Sequence, residues 1–151
     1  MPKTFTIRIL AWSEAHALAR PVREKVFVEE QQVPRELEWD EWDERCEHAL
    51  ACDAEGCTIG TARLLPDGRI GRMAVLRDWR GQGVGTALLE AMLERARARS
   101  MARVTLHAQI QAAGFYRRFG FSERGREFLE AGIPHVEMAL EFWPAPKSNG
   151  N

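Results

Sequence analysis

Residues 80–98 read RGQGVGTALLEAMLERARA, a glycine-rich segment followed by the clearest helical pattern of the chain. Three glycines alternate at its start, and the apolar residues that follow recur at the spacing of one helical face. A glycine loop that runs into a helix lets backbone N–H groups approach an anion, beside the positive end of the helix dipole. Arg77 and Arg80 add formal charge next to these groups. The stretch therefore predicts a phosphate-binding site.

Two common phosphate motifs do not fit these glycines. A P-loop requires a lysine directly after them, and none is present. The dinucleotide fingerprint requires a third glycine where Thr86 stands, and an acidic residue on a strand about 20 residues further on, which is also missing. The remaining alternative is that the glycines only form a tight turn between a strand and a helix.

The rest of the chain predicts an α/β (α+β) fold, in which a mixed, mostly antiparallel central sheet is flanked by helices. Pro66-Asp67-Gly68 is a turn signal between two strands. Pro21 is expected in the first turn of a helix that ends at Val33-Pro34. The predicted strands cover residues 4–11, 48–53, 57–65, 69–76, 103–107, 122–129 and 135–142, and the predicted helices cover residues 21–31, a long segment from Gly85, and residues 110–119.

A chain of 151 residues is the size of one domain, here residues 1–151, with a polar tail at residues 144–151 that is expected to be flexible. The net charge of −1 creates no overall attraction to nucleic acid or to an anionic membrane. No stretch approaches the roughly 20 apolar residues of a membrane span. Cys46, Cys52 and Cys57 lack the spacing of a disulfide framework or a zinc site. A cytoplasmic protein without a bound metal is expected.

Two motifs together resemble the GNAT superfamily of acyl-CoA N-acyltransferases. The first is Arg80-x-x-Gly83-x-Gly85, which is similar to the pyrophosphate loop of that superfamily. The second is AAGFYRRFGF at residues 112–121, which is similar to its short helix with a tyrosine followed by a Gly-Phe pair. Residues 22–31 (VREKVFVEEQ) and residues 132–135 (GIPH) further resemble the ElaA-like branch. The resemblance covers about residues 20–140.

The resemblance implies that acetyl-CoA is the co-substrate and that the acetyl group passes directly to a small-molecule or peptide amine, without an acyl-enzyme. It also allows a homodimer. A strand at residues 72–76 would run along the pantetheine arm, and the glycine loop would hold the pyrophosphate. Gln109 stands where the family commonly has Asn. The implied cofactor-binding residues are Met73, Ala74, Val75, Arg80, Gly81, Gln82, Gly83, Val84, Gly85, Thr86 and Gln109.

Attack of an amine on a thioester requires a neutral amine, a polarised carbonyl and a proton for the departing sulfur. The resemblance implies Tyr116 as the general acid, and it is the only tyrosine of the chain. The alternative is that its ring only packs. His48 is the candidate base because imidazole titrates near neutral pH. Glu38, His135 and a chain of water molecules are alternatives for that role.

Nine acidic residues lie between Glu29 and Glu47, with Trp39 and Trp42 interleaved among them. One hypothesis is that this segment forms a wall of a cleft that attracts cationic amines, through carboxylate charge and indole faces. The alternative is a solvated loop whose tryptophans cap the core. At the level of function, the alternative to an enzyme is a non-catalytic acyl-CoA-binding or sensor module.

Overall fold

The computed structural model describes residues 3–142, so the predicted tail at residues 144–151 lies outside the described residues. The strands are β1 (Phe5–Ala11), β2 (Glu47–Asp53), β3 (Thr58–Leu64), β4 (Arg69–Val75), β5 (Arg103–Gln109), β6 (Ser122–Glu130) and β7 (Ile133–Glu141). The α-helices are α1 (Trp12–Arg23), α2 (Arg35–Glu38), α3 (Val84–Ala98) and α4 (Ala113–Arg117), and α1 continues as a π-helix over Glu24–Glu30. Short 3-10 helices cover Glu41–Arg45, Arg77–Trp79 and Ile110–Ala112.

The strands form one sheet in the order β1-β2-β3-β4-β5-β7-β6. Neighbouring strands are antiparallel except for β4 and β5. These two run parallel and are paired only at Arg69–Thr105 and Ile70–Leu106. Beyond that point they are no longer paired, so the sheet opens between them. The prediction of a mixed, mostly antiparallel sheet flanked by helices is confirmed.

Helices cover both faces of the sheet. On one face α3 buries its apolar side, which includes Leu88 and Met92, against residues of β3 to β5. On the other face α1 packs the small residues Ala15 and Ala19 against β2. Gly60 on β3 allows α3 to approach closely, because a Cβ at that position would lie 3.0 Å from the Leu88 side chain. The core therefore fixes where the N-terminus of α3 meets the end of β4.

A β-bulge interrupts β4 at Arg72. Thr61 of β3 pairs with Ala74, whereas Arg63 pairs with Gly71, so β4 carries one extra residue in this interval. Arg72 has a φ of 48°, which is uncommon for a residue with a side chain. The bulge shifts the alternation of side chains just before the point where β4 reaches the glycine loop.

The first helix begins earlier than predicted. It starts at Trp12 rather than at Pro21, and Pro21 lies inside the helix instead of in its first turn. Proline removes one backbone hydrogen bond from a helix interior, but Ala15, Ala19 and Val22 are buried on one face, and this packing holds the helix together. The segment predicted as an acidic loop also contains short helices, Arg35–Glu38 and Glu41–Arg45.

Candidate active site

A cavity of about 700 Å³ is lined by residues of both β4 and β5, where these strands are no longer paired. Further parts of its wall come from the π-helix, from the segment around α2, from α4 and from the β6–β7 turn. Its lining includes three residues that the sequence singled out for function, Met73, Gln109 and Tyr116. The topology therefore brings together residues that lie more than 40 positions apart in the sequence.

Tyr116 lies on α4 with its ring half-buried. The ring packs edge-on against Phe115 and Phe121, at centroid distances of 5.1 and 5.9 Å. Burial raises the pKa of the Tyr116 phenol to about 12. The phenol therefore keeps its proton at neutral pH and is available as a proton donor. The packing alternative is true in part, because the ring does join the core.

Gln109 stands at the end of β5, in register with His135 of β7. Its side-chain amide donates to Gln31 at 2.9 Å and accepts from Gln111 at 2.7 Å. These contacts tie β5 to the segment that follows the π-helix. The Gln109 side chain is thus held in the cavity wall by protein partners, close to Tyr116 in the same lining.

The glycine loop has the backbone geometry of an anion site. Gly81 and Gly83 have φ values of 75° and 88°, and no protein atom lies within 4 Å of a Cβ built on either residue. Gly83 caps α3, whose first hydrogen bond runs from Ala87 N to Gly83 O. The N–H groups before Ala87 are consequently not used by the helix, and the positive end of its dipole faces the same side. Open space and free donors coincide at this loop.

Arg80 is less free than the sequence suggested. Its Nε donates to the carbonyl of Val75 at 2.9 Å and its Nη2 to Glu30 at 2.9 Å. Arg77 donates to the other oxygen of Glu30 at 3.2 Å. The hydrogen bond from Arg80 is the main cause that lowers the pKa of Glu30. The loop is therefore pinned to β4 and to the π-helix, and its donor capacity for an anion rests chiefly on backbone N–H groups.

His48 does not lie in the cavity. It is fully buried on β2, its ring packs at a tilt against Trp12 with a centroid distance of 4.8 Å, and its Nε2 donates to the carbonyl of Asp43 at 2.8 Å. Burial lowers the pKa of His48. A side chain without solvent exposure and outside the cavity lining cannot take a proton from an acceptor amine. The assignment of His48 as the base is not supported by this position.

The acidic segment does line the cavity, through Glu38, Asp40, Glu41 and Trp42, but the carboxylates of Glu38 and Asp40 are paired there. Arg23 is fully buried, and it donates to Glu38 at 2.8 Å and to Asp43 at 2.9 Å. Arg63 donates to Asp43 at 2.8 Å and to Asp40 at 2.7 Å. Each of these carboxylates has an arginine partner, because a buried charge must be paired. The Glu38 and Asp40 carboxylates therefore offer the cavity less free negative charge than the sequence suggests, and the preference for cationic amines stays a prediction.

Glu38 is similarly unsuited to the role of an exposed base. Only 2% of its side chain is accessible, and its carboxylate is held by Arg23 and Arg72. Burial raises its pKa, against the lowering effect of these arginines. Trp39 covers the guanidinium of Arg23 from above, at 4.6 Å from its ring centroid. The tryptophan thus seals the ion cluster, in partial agreement with the alternative that the tryptophans cap the core.

His135, the other candidate base, does line the cavity. Its Nδ1 lies 2.7 Å from the carbonyl of Ile133, and a carbonyl can only accept, so Nδ1 carries the hydrogen. In the neutral ring Nε2 then holds a lone pair. Nearby, Nδ1 of His107 is 2.7 Å from the carboxylate of Glu130. His107 is thus engaged by a carboxylate, whereas His135 is bonded to a backbone carbonyl.

Within residues 3–142, no group of three or more His, Cys, Asp or Glu side chains is arranged to hold a metal ion. The part of the chain that the structure describes contains no helix long and apolar enough to cross a membrane. Cys46, Cys52 and Cys57 are free thiols, of which only Cys57 is exposed.

The fold and this site define a family. Residues 14–142 match the family model of the acetyltransferase (GNAT) domain. The chain belongs to the GNAT family of acetyltransferases, which use an acyl-CoA as co-substrate and act on amine acceptors. The resemblance seen in the sequence is confirmed.

Particular relatives give the same result. The chain is 40% identical over 121 residues to the uncharacterized N-acetyltransferase YjcF of Bacillus subtilis, covering 78% of this chain and 86% of that protein. The crystal structure of Escherichia coli ElaA superposes with a TM-score of 0.82 at 30% identity, covering 91% of this chain and 100% of that one. An acyl-CoA N-acyltransferase from Pseudomonas aeruginosa superposes with a TM-score of 0.77 at 32% identity, covering 91% and 99%.

Proposed function

We propose that this chain transfers the acetyl group of acetyl-CoA directly to a primary amine, within a ternary complex. The observation that carries this proposal is the gap between β4 and β5 beyond Ile70 and Leu106. That gap gives a cavity of about 700 Å³, with Met73 on one side and Tyr116 on the other. A thioester laid along β4 would have its sulfur near the phenol and its carbonyl near the acceptor space.

In this proposal the cofactor is held by backbone groups. The unpaired edge of β4 at Met73, Ala74 and Val75 would accept the pantetheine arm as an added strand. The pyrophosphate would lie in the open space above Gly81 and Gly83, against the free N–H groups at the start of α3. The loop residues assigned to it are Arg80, Gly81, Gln82, Gly83, Val84, Gly85 and Thr86. Gln109 would border the acyl end of the cofactor.

The chemistry needs one proton donor and one proton acceptor. The amine nitrogen forms a bond to the acetyl carbonyl carbon, and the bond from that carbon to sulfur breaks. Tyr116 gives its proton to the thiolate, and the phenol is protonated at neutral pH until that step. His135 Nε2 takes the proton from the amine, because its Nδ1 is committed to Ile133. The protein therefore gives one proton, from Tyr116, and takes up one, on His135, so the step is balanced.

The experiment is a thiol-release assay with acetyl-CoA and a panel of primary amines, combined with mass spectrometry of the acceptor. We expect amine-dependent release of free CoA and an acetylated amine. Propionyl-CoA and butyryl-CoA, run in parallel, test the preference for acetyl. A protein that binds acetyl-CoA in calorimetry but does not release CoA in the presence of any amine of the panel would instead support the alternative, a non-catalytic acyl-CoA sensor.

A further inference from the structure

Arg72 lies in the cavity wall with an unusual backbone conformation. It stands at the bulge of β4 with a φ of 48°, directly before Met73, and 23% of its side chain remains accessible. A backbone conformation that costs energy persists where the surrounding structure holds it, and such positions are common at ligand sites. The bulge directs the Arg72 side chain toward the segment around α2, on the cavity side.

The carboxylates around Arg72 are already engaged by other arginines. Glu38 receives Arg23 at 2.8 Å, whereas Arg72 Nε is 3.2 Å from the same oxygen. Asp40 receives Arg63 at 2.7 Å, whereas Arg72 Nη2 is 3.3 Å away. Short charge-assisted hydrogen bonds are the strong ones. Arg72 is therefore the least tightly bound of the three guanidinium groups in this cluster.

Donors also remain unused at this place. Within residues 3–142 the hydrogen bonds of Arg72 involve Nε and Nη2, and Nη1 has no partner. This Nη1 atom is not buried, so it is accessible to a ligand. Arg63, which lines the same cavity, has a buried Nε without a partner. Three arginines face three carboxylates here, and the arrangement still leaves donors without acceptors.

Arg72 makes no hydrogen bond to the charged residues that line the cavity outside this cluster. Glu130 is bonded to His107 at 2.7 Å. Glu41 and Arg69 line the cavity as exposed residues of opposite charge. Apart from these, the lining is largely apolar and includes Phe27, Val33, Leu37, Leu65, Ile70 and Ala112. A ligand that supplies one carboxylate and an apolar body would satisfy both the Nη1 donor of Arg72 and the apolar part of the wall.

We infer that Arg72 binds the carboxylate of the acceptor, so that the acceptors are amines that also carry a carboxylate, such as amino acids with an apolar side chain. This inference rests on the proposed amine acetylation. It is opposite to the preference for cationic amines that the acidic sequence suggested. In the complex, Arg72 Nη1 would bond the ligand carboxylate, and the amine would lie between that carboxylate and the thioester.

The test compares acceptors that differ only at the carboxylate: L-leucine, L-leucinamide and 3-methylbutylamine, and the corresponding set from L-phenylalanine. Rates are referred to the concentration of the neutral amine, which removes the effect of differing amine basicity. A charge-assisted hydrogen bond corresponds to a factor of roughly 10 to 100 in binding. We expect the amino acid to exceed the amide and the simple amine in kcat/KM by about that factor, through a lower KM.

Variants assign this preference to Arg72. Arg72→Gln should raise the KM of the amino acid roughly 10- to 100-fold and remove its advantage over the amide, and Arg72→Lys should keep part of it. Arg103→Gln, on the surface of β5 with one contact of 3.5 Å, is the matched control and should keep the full preference. Calorimetry with N-acetyl-L-leucine and its amide, on protein saturated with CoA, measures the same discrimination without turnover.

The outcomes separate the two proposals. Amine acetylation without a carboxylate preference, or a preference that survives in Arg72→Gln, overturns the inference and leaves the proposed function intact. If no amine is acetylated, the proposed function is overturned. If, in addition, N-acetyl-L-leucine and its amide bind equally well, the role of Arg72 is overturned too. If Arg72→Gln does not fold, Arg72→Lys and the binding comparison on the wild-type protein decide.

Discussion

Single residues of this site owe their chemistry to what surrounds them. Tyr116 is edge-packed by Phe115 and Phe121, and burial raises the pKa of its phenol to about 12. A phenol with so high a pKa stays protonated at neutral pH, and it is a weaker acid than an ordinary tyrosine. The same half-buried ring also contributes to the core, so removal of the hydroxyl alone is the informative change.

Tyr116→Phe should lower kcat by roughly 10²- to 10⁴-fold, the range for loss of a general acid. The melting temperature and the affinity for acetyl-CoA should change little, because the ring and its packing are retained. The pH profile of kcat in the wild-type protein should have no falling limb from this phenol below about pH 10, since its pKa lies near 12. Stopped-flow or steady-state thiol release measures these effects. Wild-type turnover in the variant would show that Tyr116 only packs.

At the scale of elements, the loop and the helix α3 act together. The loop presents space and N–H groups because Gly81 and Gly83 adopt a positive φ, and α3 contributes the dipole. Arg80 fastens this loop to the carbonyl of Val75, at the end of the strand that is proposed to bind the pantetheine arm. The two parts of the proposed cofactor site are thus linked by one hydrogen bond.

Gly83→Val should weaken acetyl-CoA binding about 10-fold or more, because the side chain enters the open space where a phosphate would lie. Gly56→Val is a matched control, since Gly56 has a φ of 85°, its Cβ would likewise meet no atom within 4 Å, and it lies in the β2–β3 turn. Both variants should lose at least roughly 1–2 kcal/mol of stability from the backbone conformation. Calorimetry on folded protein should find reduced affinity in Gly83→Val alone. Equal affinities in the two variants would remove the loop from the site.

The opening of β4 from β5 could not be read from the sequence. Both strands were predicted, at residues 69–76 and 103–107, because their apolar residues and flanking turns are local signals. Their pairing at only two positions and the bulge at Arg72 depend on how α3 and the π-helix pack on the two faces. The missed start of α1 has a similar cause, because its buried face consists of alanines, which give a weak apolar pattern.

At the scale of the whole molecule, buried ionisable groups connect distant segments. Arg23 of α1, Asp43 of a 3-10 helix and Arg63 of β3 form one continuous set of ion pairs. His48 lies beside it and donates to the carbonyl of Asp43. Its Nδ1 is buried and has no partner among the described residues, which suits a lone pair and would not suit an N–H⁺. Burial accordingly lowers the pKa of His48.

Acid should therefore destabilise the fold through His48. With the folded pKa lowered, the unfolded chain takes up a proton below pH of about 6.5 that the folded chain does not. The contribution of His48 is complete above that pH and declines as pH falls toward the folded pKa, by at most about 1.4 kcal/mol per pH unit. Urea unfolding between pH 7.5 and about 5 measures this slope. Glu38, whose pKa is raised by burial, contributes a pH dependence of stability with the opposite sign. Its contribution is the same in the wild-type protein and in the histidine variants.

His48→Gln should flatten this dependence, because the amide can still donate to Asp43 but does not titrate. His16→Gln is the control, since His16 also lies near Trp12, at 5.9 Å, but is exposed. It should keep the wild-type slope. A slope that is unchanged in His48→Gln would assign the acid sensitivity to other groups.

The sequence was enough to identify the family and the element order for most of the chain, and it pointed to Tyr116 and the glycine loop as candidate site residues. These are local signals: glycines at fixed spacing before an amphipathic helix, and an aromatic residue on a short helix. Tertiary structure decided which charges are free. Arg80 is 50 residues from Glu30, Arg63 is 23 residues from Asp40, and Arg72 is 34 residues from Glu38. No local pattern records such pairings, because the free energy of a charge depends on its burial and on its partners in space. The acidic segment thus looked open in the sequence, whereas Glu38, Asp40 and Asp43 are paired in the fold. Arg72, the arginine that is least tightly bound in this cluster, lines the cavity.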